Sequence, residues 1–326
     1  MTALPGMYGD IKLIAGRACP NLAQEIAIYL SRKSWRRIRL SKCEISQFPN
    51  ENIYVQLGES VRGQDVYIIQ TMSKPVNDHL MELLIIMDAV RRDSAGRITA
   101  VIPHMSYARS DRKDKPRTPI TARLVAEMIQ LAGADRFITI DLHAGQVQGF
   151  FSIPGDVLTA FHILSKHIEK RRVPNLVVVA ADVGYAKDAR NWARQFDAPL
   201  AIVEKRRTGS STEALTLVGD VSGRNVLIVD DEVDTGGTLC EAVKILRKNG
   251  AQDIYVAFTH PTFSPPFGER YRLIKNDVKE FVCTNTLPMS AEFERGNVTV
   301  LSVAELLGEV IRRAHLGLSV GRMFNE

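Results

Sequence analysis

Asn225-Val226-Leu227-Ile228-Val229-Asp230-Asp231-Glu232-Val233-Asp234-Thr235-Gly236-Gly237-Thr238-Leu239 is the stretch that decides the fold. An apolar, β-branched run reads as a strand over Val226 to Asp230 and delivers two adjacent carboxylates, Asp230 and Asp231, to its end. A third acid, Asp234, follows, and Thr-Gly-Gly-Thr then opens a helical pattern over 238–249 that closes at Asn249-Gly250. Strand, acidic loop and helix in that order form part of a βαβ unit. In open α/β sheets the carboxyl ends of the strands bind ligands.

Outward from this stretch the same alternation repeats. Further strands are expected at Val66 to Gln70, Ile98 to Ile102, Phe137 to Asp141, Leu176 to Ala180 and Ile254 to Phe258. Helical periods lie between them at 79–94, 120–133, 157–171 and 185–196. Strands this apolar are covered on both faces, so the expected class is α/β, with mainly parallel sheets flanked by helices. Gly149 to Pro154 interrupts the pattern midway, and an earlier strand also ends in an acid, Asp141, before Leu142-His143. Two domains of related architecture are therefore expected, 1–153 and 154–302, followed by a C-terminal segment, 303–326.

Composition agrees. The 326 residues suit two domains of roughly 150 residues each. Hydrophobic residues make up 45% and charged residues 24%, which excludes a disordered, collagen-like or disulfide-scaffold chain. A net charge of +5, from 42 basic and 37 acidic residues, fits the handling of small anions better than the coating of nucleic acid. Cys19, Cys43, Cys240 and Cys283 form no CxxC pair, so neither a zinc site nor a redox motif is expected. No apolar stretch reaches the ~20 residues of a membrane helix. Asp10, Lys12 and Arg17 stand where a secretion signal needs its apolar core, so a cytoplasmic setting is expected.

The acidic stretch itself specifies a ligand class. Glycines permit close backbone approach, and N–H groups at a helix start suit a phosphate. Thr235 and Thr238 add hydroxyl donors, while the lack of a lysine after the glycines excludes a nucleotide P-loop. Asp230 and Asp231 can accept hydrogen bonds from two vicinal hydroxyls beside that phosphate. A pentose 5-phosphate meets both demands. The plainer alternative is a capped helix start bearing solvated acids, which the length of the string disfavours.

The stretch resembles the phosphoribosyl-binding loop shared by type I phosphoribosyltransferases and ribose-phosphate pyrophosphokinases. Other segments resemble the second family: Val61 to Val66, Asn77 to Leu84, Tyr107 to Lys113, Asp141 to Ala144, Gln148 to Phe151 and Ile311 to His315. The transferases lack this N-terminal half. The resemblance implies two domains of the type I phosphoribosyltransferase kind, with a helix at about 303–314 returning to the first. It implies magnesium-dependent transfer of the diphosphoryl group of ATP to ribose 5-phosphate. By the same resemblance, His143 and Asp182 ligate magnesium, Lys205 is catalytic and Arg207 contacts the phosphorylated substrates. Arg109 and Ser110, the latter where the family usually has glutamine, lie on the nucleotide side. Asp230, Asp231, Asp234, Thr235, Gly236, Gly237 and Thr238 hold ribose 5-phosphate.

Read alone, Glu204 to Arg207 and the small residues after it form a basic loop able to close over a transferring phosphoryl group. Phe48-Pro49-Asn50-Glu51-Asn52 aligns with the family's Phe-Ser-Asp-Gly-Glu, whose residues reach adenine in a neighbouring subunit. The resemblance thus makes Phe48, Asn50 and Asn52 nucleotide-binding and the protein a homo-oligomer, dimer-based and up to a hexamer, with neither nucleic-acid nor membrane partners. An amide both donates and accepts where a carboxylate only accepts, so Asn50 and Asn52 point to altered donor selectivity. Tyr185 replaces a family glycine and Asp188 a basic residue, which crowds the diphosphate side. A regulatory, non-catalytic relative is the alternative that these departures favour. A phosphoribosyltransferase is the weaker one.

Overall fold

The computed structural model describes residues 8–34, 36–208 and 212–323. The chain divides into two compact units. The first holds Met1–Thr159, Thr286–Pro288 and Ser302–Glu326, and the second holds Ala160–Asn285 and Met289–Leu301.

In the first unit, β1 (Ile11–Ala15) leads to α1 (Pro20–Ser34), then an antiparallel hairpin of β2 (Cys43–Gln47) and β3 (Ile53–Leu57). β4 (Asp65–Ile69), α2 (Val76–Arg92), β5 (Arg97–Ile102), α3 (Thr121–Ala132), β6 (Arg136–Ile140) and β7 (Gly155–Leu158) follow. The sheet order is β1-β4-β5-β6-β7, all parallel. Every residue of β4 and β5 is buried, as expected of central strands covered on both faces. Leu83, Ile86, Met87 and Val90 of α2, at helical spacing, pack with Ile68, Ile98 and Ala100 on one face.

The second unit opens with α4 (Phe161–Lys170) and β8 (Leu176–Ala180), then α5 (Ala186–Gln195) and an antiparallel hairpin of β9 (Leu200–Thr208) and β10 (Thr212–Val218). β11 (Asn225–Val233), α6 (Gly237–Lys248), β12 (Ile254–Pro261), α7 (Phe267–Ile274), β13 (Val278–Thr284), α8 (Ala291–Glu294) and β14 (Val298–Leu301) complete it. The sheet order is β10-β9-β8-β11-β12-β13-β14.

The two units repeat one plan. Each runs strand, helix, antiparallel hairpin, then four strands that pair in sequence beginning beside the first. β1-β4-β5-β6-β7 corresponds to β8-β11-β12-β13-β14. They differ at the hairpin: β9 joins β8 in parallel, whereas β2–β3 forms its own sheet and, among the described residues, β1 meets a single bridge from Leu13 to Leu40 at that edge. Both units are therefore of the mainly parallel α/β class expected from the sequence.

After β14 the chain returns to the first unit as α9 (Ala304–His315). Gly308 presents no side chain to the Tyr29 ring of α1; a Cβ there would lie 2.5 Å from Tyr29 Cδ1. Beside it, Glu309 accepts hydrogen bonds from Arg312, Arg313 and Tyr29. Buried Asp65 at the start of β4 forms a two-point ion pair with Arg97, at 2.8 and 2.7 Å, and meets His315 Nδ1 at 2.8 Å.

Three expectations need correction. The helical period over 157–171 begins only at Phe161, because Gly155–Leu158 pair with β6 as β7; the first unit therefore runs to Thr159 rather than 153. β11 does not stop at Asp230, since pairing with β12 carries it through Val233 opposite Pro261. Lys205 to Arg207 do not open a loop: their backbone lies within β9, paired to Leu215, Ala214 and Glu213 of β10.

Candidate active site

The second sheet has one point where strand order reverses. From β8 the chain goes to β9 on one side, while the later β11 lies on the other. The crevice beyond the carboxyl ends of such a pair is where α/β sheets take ligands. Pairing with β8 stops at Val229 opposite Ala180, so Asp230 to Val233 extend past β8 with that edge open. β8 itself leads into Ala181-Asp182, and Asp182 Oδ1 accepts the Tyr185 backbone N–H at 3.0 Å.

Asp230 and Asp231 thus stand at the crevice with Asp182. Asp230 Oδ1 accepts the Asp231 backbone N–H at 3.0 Å. Burial, followed by repulsion from Asp231 and Asp182, pushes the Asp230 carboxyl well above the usual carboxylate range. Acids crowded in this way are stabilised by hydroxyl donors or by a cation.

The loop after β11 is shaped from behind by residues some thirty positions later. Phe263 N–H donates to Val233 O at 3.1 Å, Ser264 N–H to Asp234 O at 3.1 Å, and Arg270 Nη1 to Thr235 O at 2.9 Å. In a trans peptide the C=O of one residue and the N–H of the next point in opposite directions. Tying back these three carbonyls therefore turns the N–H groups of Asp234, Thr235 and Gly236 away from the support, toward the opposite side of the loop. Helix α6 starts at once, with Cys240 N–H bonded to Gly236 O at 3.0 Å and no acid in its first turn. Successive amides with a helix start form an anion cradle.

Gly236 is required here for two reasons. Its φ of +73° is left-handed, and a Cβ would lie 2.7 Å from Phe267 Cδ2. Phe267 stacks on Phe263 at 3.9 Å between centroids and is fully buried, so the ring has no room to retreat. Phe293 packs against both rings. Glu232 accepts from Thr262 Oγ1 at 2.6 Å, which binds the strand end to the same support.

The remaining expected residues of described placement belong to the first unit. Tyr107 to Lys113 follow β5, and His143 follows β6, at neighbouring carboxyl ends of that sheet. Gln146 donates to Asp111 and Tyr107 to Asn77, tying the loop after β5 to the segment after β6 and to the start of α2. Arg109 and His143 are exposed, and Ser110 is half-buried, its carbonyl accepting the Ala122 N–H at 3.2 Å. Phe48, Asn50 and Asn52 occupy the exposed tip of the β2–β3 hairpin. There Phe48 meets Tyr54 edge-on at 5.7 Å, and Asn52 N–H reaches Asn50 Oδ1 at 3.3 Å. The side chains of Lys205 and Arg207 lie outside the described residues. Sequence reasoning overlooked Arg270, Phe263, Phe267 and Glu232; only the strand-end position of Glu232 could have been read locally.

A mainly parallel sheet with an acid pair and tied-back backbone amides at its switch point places the chain in the α/β class, with a candidate ligand crevice between β8 and β11. Comparison with known proteins makes this specific. Residues 11–133 match the N-terminal domain of ribose phosphate pyrophosphokinase, and residues 205–325 match the phosphoribosyl synthetase-associated domain. A ribose-phosphate pyrophosphokinase of Rhizobium meliloti (strain 1021) is 46% identical over 318 residues, 97% of this chain and all of the relative. The chloroplastic ribose-phosphate pyrophosphokinase 1 of Arabidopsis thaliana is 46% identical over 96% of this chain and 77% of its own length. The solved phosphoribosylpyrophosphate synthetase of Mycobacterium smegmatis superposes with a TM-score of 0.86 at 40% identity, over 93% of this chain and 98% of that one. The chain belongs to the ribose-phosphate pyrophosphokinase family and is an enzyme of that kind, a transferase. Among the described residues no helix is long and apolar enough to cross a membrane.

Proposed function

We propose that the enzyme transfers the diphosphoryl group of ATP to the anomeric hydroxyl of ribose 5-phosphate, with the acceptor bound at the β8–β11 crevice. The observation that carries this reading is the tied-back loop Val233 to Thr235 beside Asp230 and Asp231. It offers amides to a phosphomonoester and carboxylates to ring hydroxyls within one segment. Asp234, Thr235, Gly236, Gly237 and Thr238 hold the 5-phosphate, and Asp230 with Asp231 orients the hydroxyls.

The anomeric oxygen attacks the β-phosphorus. The bond from that phosphorus to the oxygen it shares with the α-phosphorus breaks, AMP leaves with the electron pair, and the hydroxyl proton passes to solvent. Positioning and charge neutralisation do most of this work, as in phosphoryl transfer generally. Lys205 and Arg207 are assigned the developing charge. Arg109 and Ser110, with Phe48, Asn50 and Asn52, are assigned the nucleotide. Because the hairpin tip bearing the last three is exposed and bonded within itself, a neighbouring copy of the chain is its proposed user, which makes the protein a homo-oligomer.

A divalent cation fits the crowded acids around Asp230. Magnesium keeps several waters and takes one or two protein ligands beside phosphates. His143 and Asp182 are its proposed ligands on the sequence motif. When bound, it would neutralise the donor phosphates.

Lys205→Ala tests the assignment. Turnover should disappear while ribose 5-phosphate binding, followed by calorimetry, stays close to wild type. Unchanged turnover would remove Lys205 from the reaction.

A further inference from the structure

Arg270 stands where its charge is unfavourable unless an anion is present. Its Nη1 donates to Thr235 O at 2.9 Å. Its guanidinium also lies along the backbone at the first residue of α6: a Cβ on Gly237 would sit 3.1 Å from Nη1, 3.4 Å from Cζ and 3.7 Å from Nη2. A helix N-terminus carries a partial positive charge, so a cation is repelled there, and acids are the usual first-turn residues. The first turn of α6 contains none, and among the described residues no carboxylate pairs with Arg270. A glycine at 237 and an arginine thirty-three residues later thus combine to concentrate positive charge at one loop. Local electrostatics that oppose folding in this way mark a functional site.

We propose that Arg270 is a positioning and specificity residue for the 5-phosphate. It holds the Thr235 carbonyl so that the Gly236 N–H faces the ligand, and it adds a full charge that makes the cradle select a dianion. This rests on the acceptor site proposed above. Arg270→Gln removes the charge, and Arg270→Lys keeps it without the planar fork. Four quantities decide: KM for ribose 5-phosphate, KM for ATP, the melting temperature with and without ribose 5-phosphate, and calorimetric binding of ribose 5-phosphate.

For Arg270→Gln, KM for ribose 5-phosphate should rise about 10- to 100-fold, the range of one charge-assisted hydrogen bond, with KM for ATP unchanged. The ligand-free melting temperature should stay level or rise, because the repulsion at α6 is gone, and the gain on adding ribose 5-phosphate should shrink. Arg270→Lys should fall between Arg270→Gln and wild type. An unchanged ribose 5-phosphate KM in Arg270→Gln overturns the proposal. So does a ligand-free melting temperature that falls together with a rise in both KM values, the signature of a purely structural arginine. If wild type itself binds no ribose 5-phosphate by calorimetry, the acceptor site falls and this inference with it. If wild type and Arg270→Gln bind equally, this inference alone falls.

Discussion

Gly236→Ala probes the loop most sharply, and the structure supplies its own control. Alanine at φ +73° costs about 1–2 kcal/mol for the left-handed backbone. Its Cβ would press on Phe267 at 2.7 Å. That ring, stacked on Phe263 and wholly buried, can yield only by overpacking the core, about 1–3 kcal/mol more. The sum is about 2–5 kcal/mol. Gly223, in the turn before β11, has a similar φ of +66° but no atom within 4 Å of its Cβ position, so Gly223→Ala carries the backbone cost alone. At about 2–4 °C per kcal/mol, Gly236→Ala should melt well below Gly223→Ala. Where the loop shifts to relieve the clash, the lower bound of about 2 kcal/mol appears instead as a roughly 30-fold higher KM for ribose 5-phosphate. Differential scanning calorimetry and initial-rate kinetics on both variants measure this. Equal melting temperatures together with equal KM values would refute the claim that Phe267 sets the loop.

Other expectations concern the first unit and the metal. Hydrogen bonds from Arg312 first, then from Tyr29 and Arg313, lower the Glu309 carboxyl to about 2, so its contribution is complete above the ordinary carboxylate range and is lost as pH falls toward 2. The shift converts to ~3 kcal/mol, and solvent around the arginines leaves ~1–2 kcal/mol. Urea titrations should therefore show Glu309→Gln less stable than wild type at pH 7, with the gap narrowing below pH 4; a gap independent of pH would contradict this. Asp65→Ala leaves Arg97 and His315 facing a buried gap and should cost about 3–5 kcal/mol by the same titration at pH 7, whereas a loss under 1 kcal/mol would show the network to be idle. Removing magnesium with EDTA should abolish turnover, and Asp182→Asn should raise the magnesium concentration for half-activation; an unaltered magnesium dependence would remove Asp182 from the metal.

The α/β class, the central strands and the acidic loop were legible because each is local. Strands covered on both faces read as continuous apolar runs, and β8 falls where its five apolar residues predict. What escaped was pairing and support. β7 is only four residues long and alternates in burial, so it merged with the helical period of α4. The β2–β3 hairpin half-buries one face and buries neither, and its half-polar sequence lacks an apolar run. Asp231 and Glu232 extend β11 because β12 offers partners as far as Pro261, which no pattern within the segment reveals. Arg270 and Phe267 reach the loop through the sheet neighbour β12, so their relation to Thr235 and Gly236 exists only once the sheet has formed.

The most direct test of the account is phosphorus NMR of purified protein with ribose 5-phosphate, ATP and magnesium. AMP and phosphoribosyl diphosphate should appear in equal amounts, with neither forming when ribose 5-phosphate is omitted. Release of ADP, or no product from folded protein that still binds ribose 5-phosphate, would contradict diphosphoryl transfer at this site.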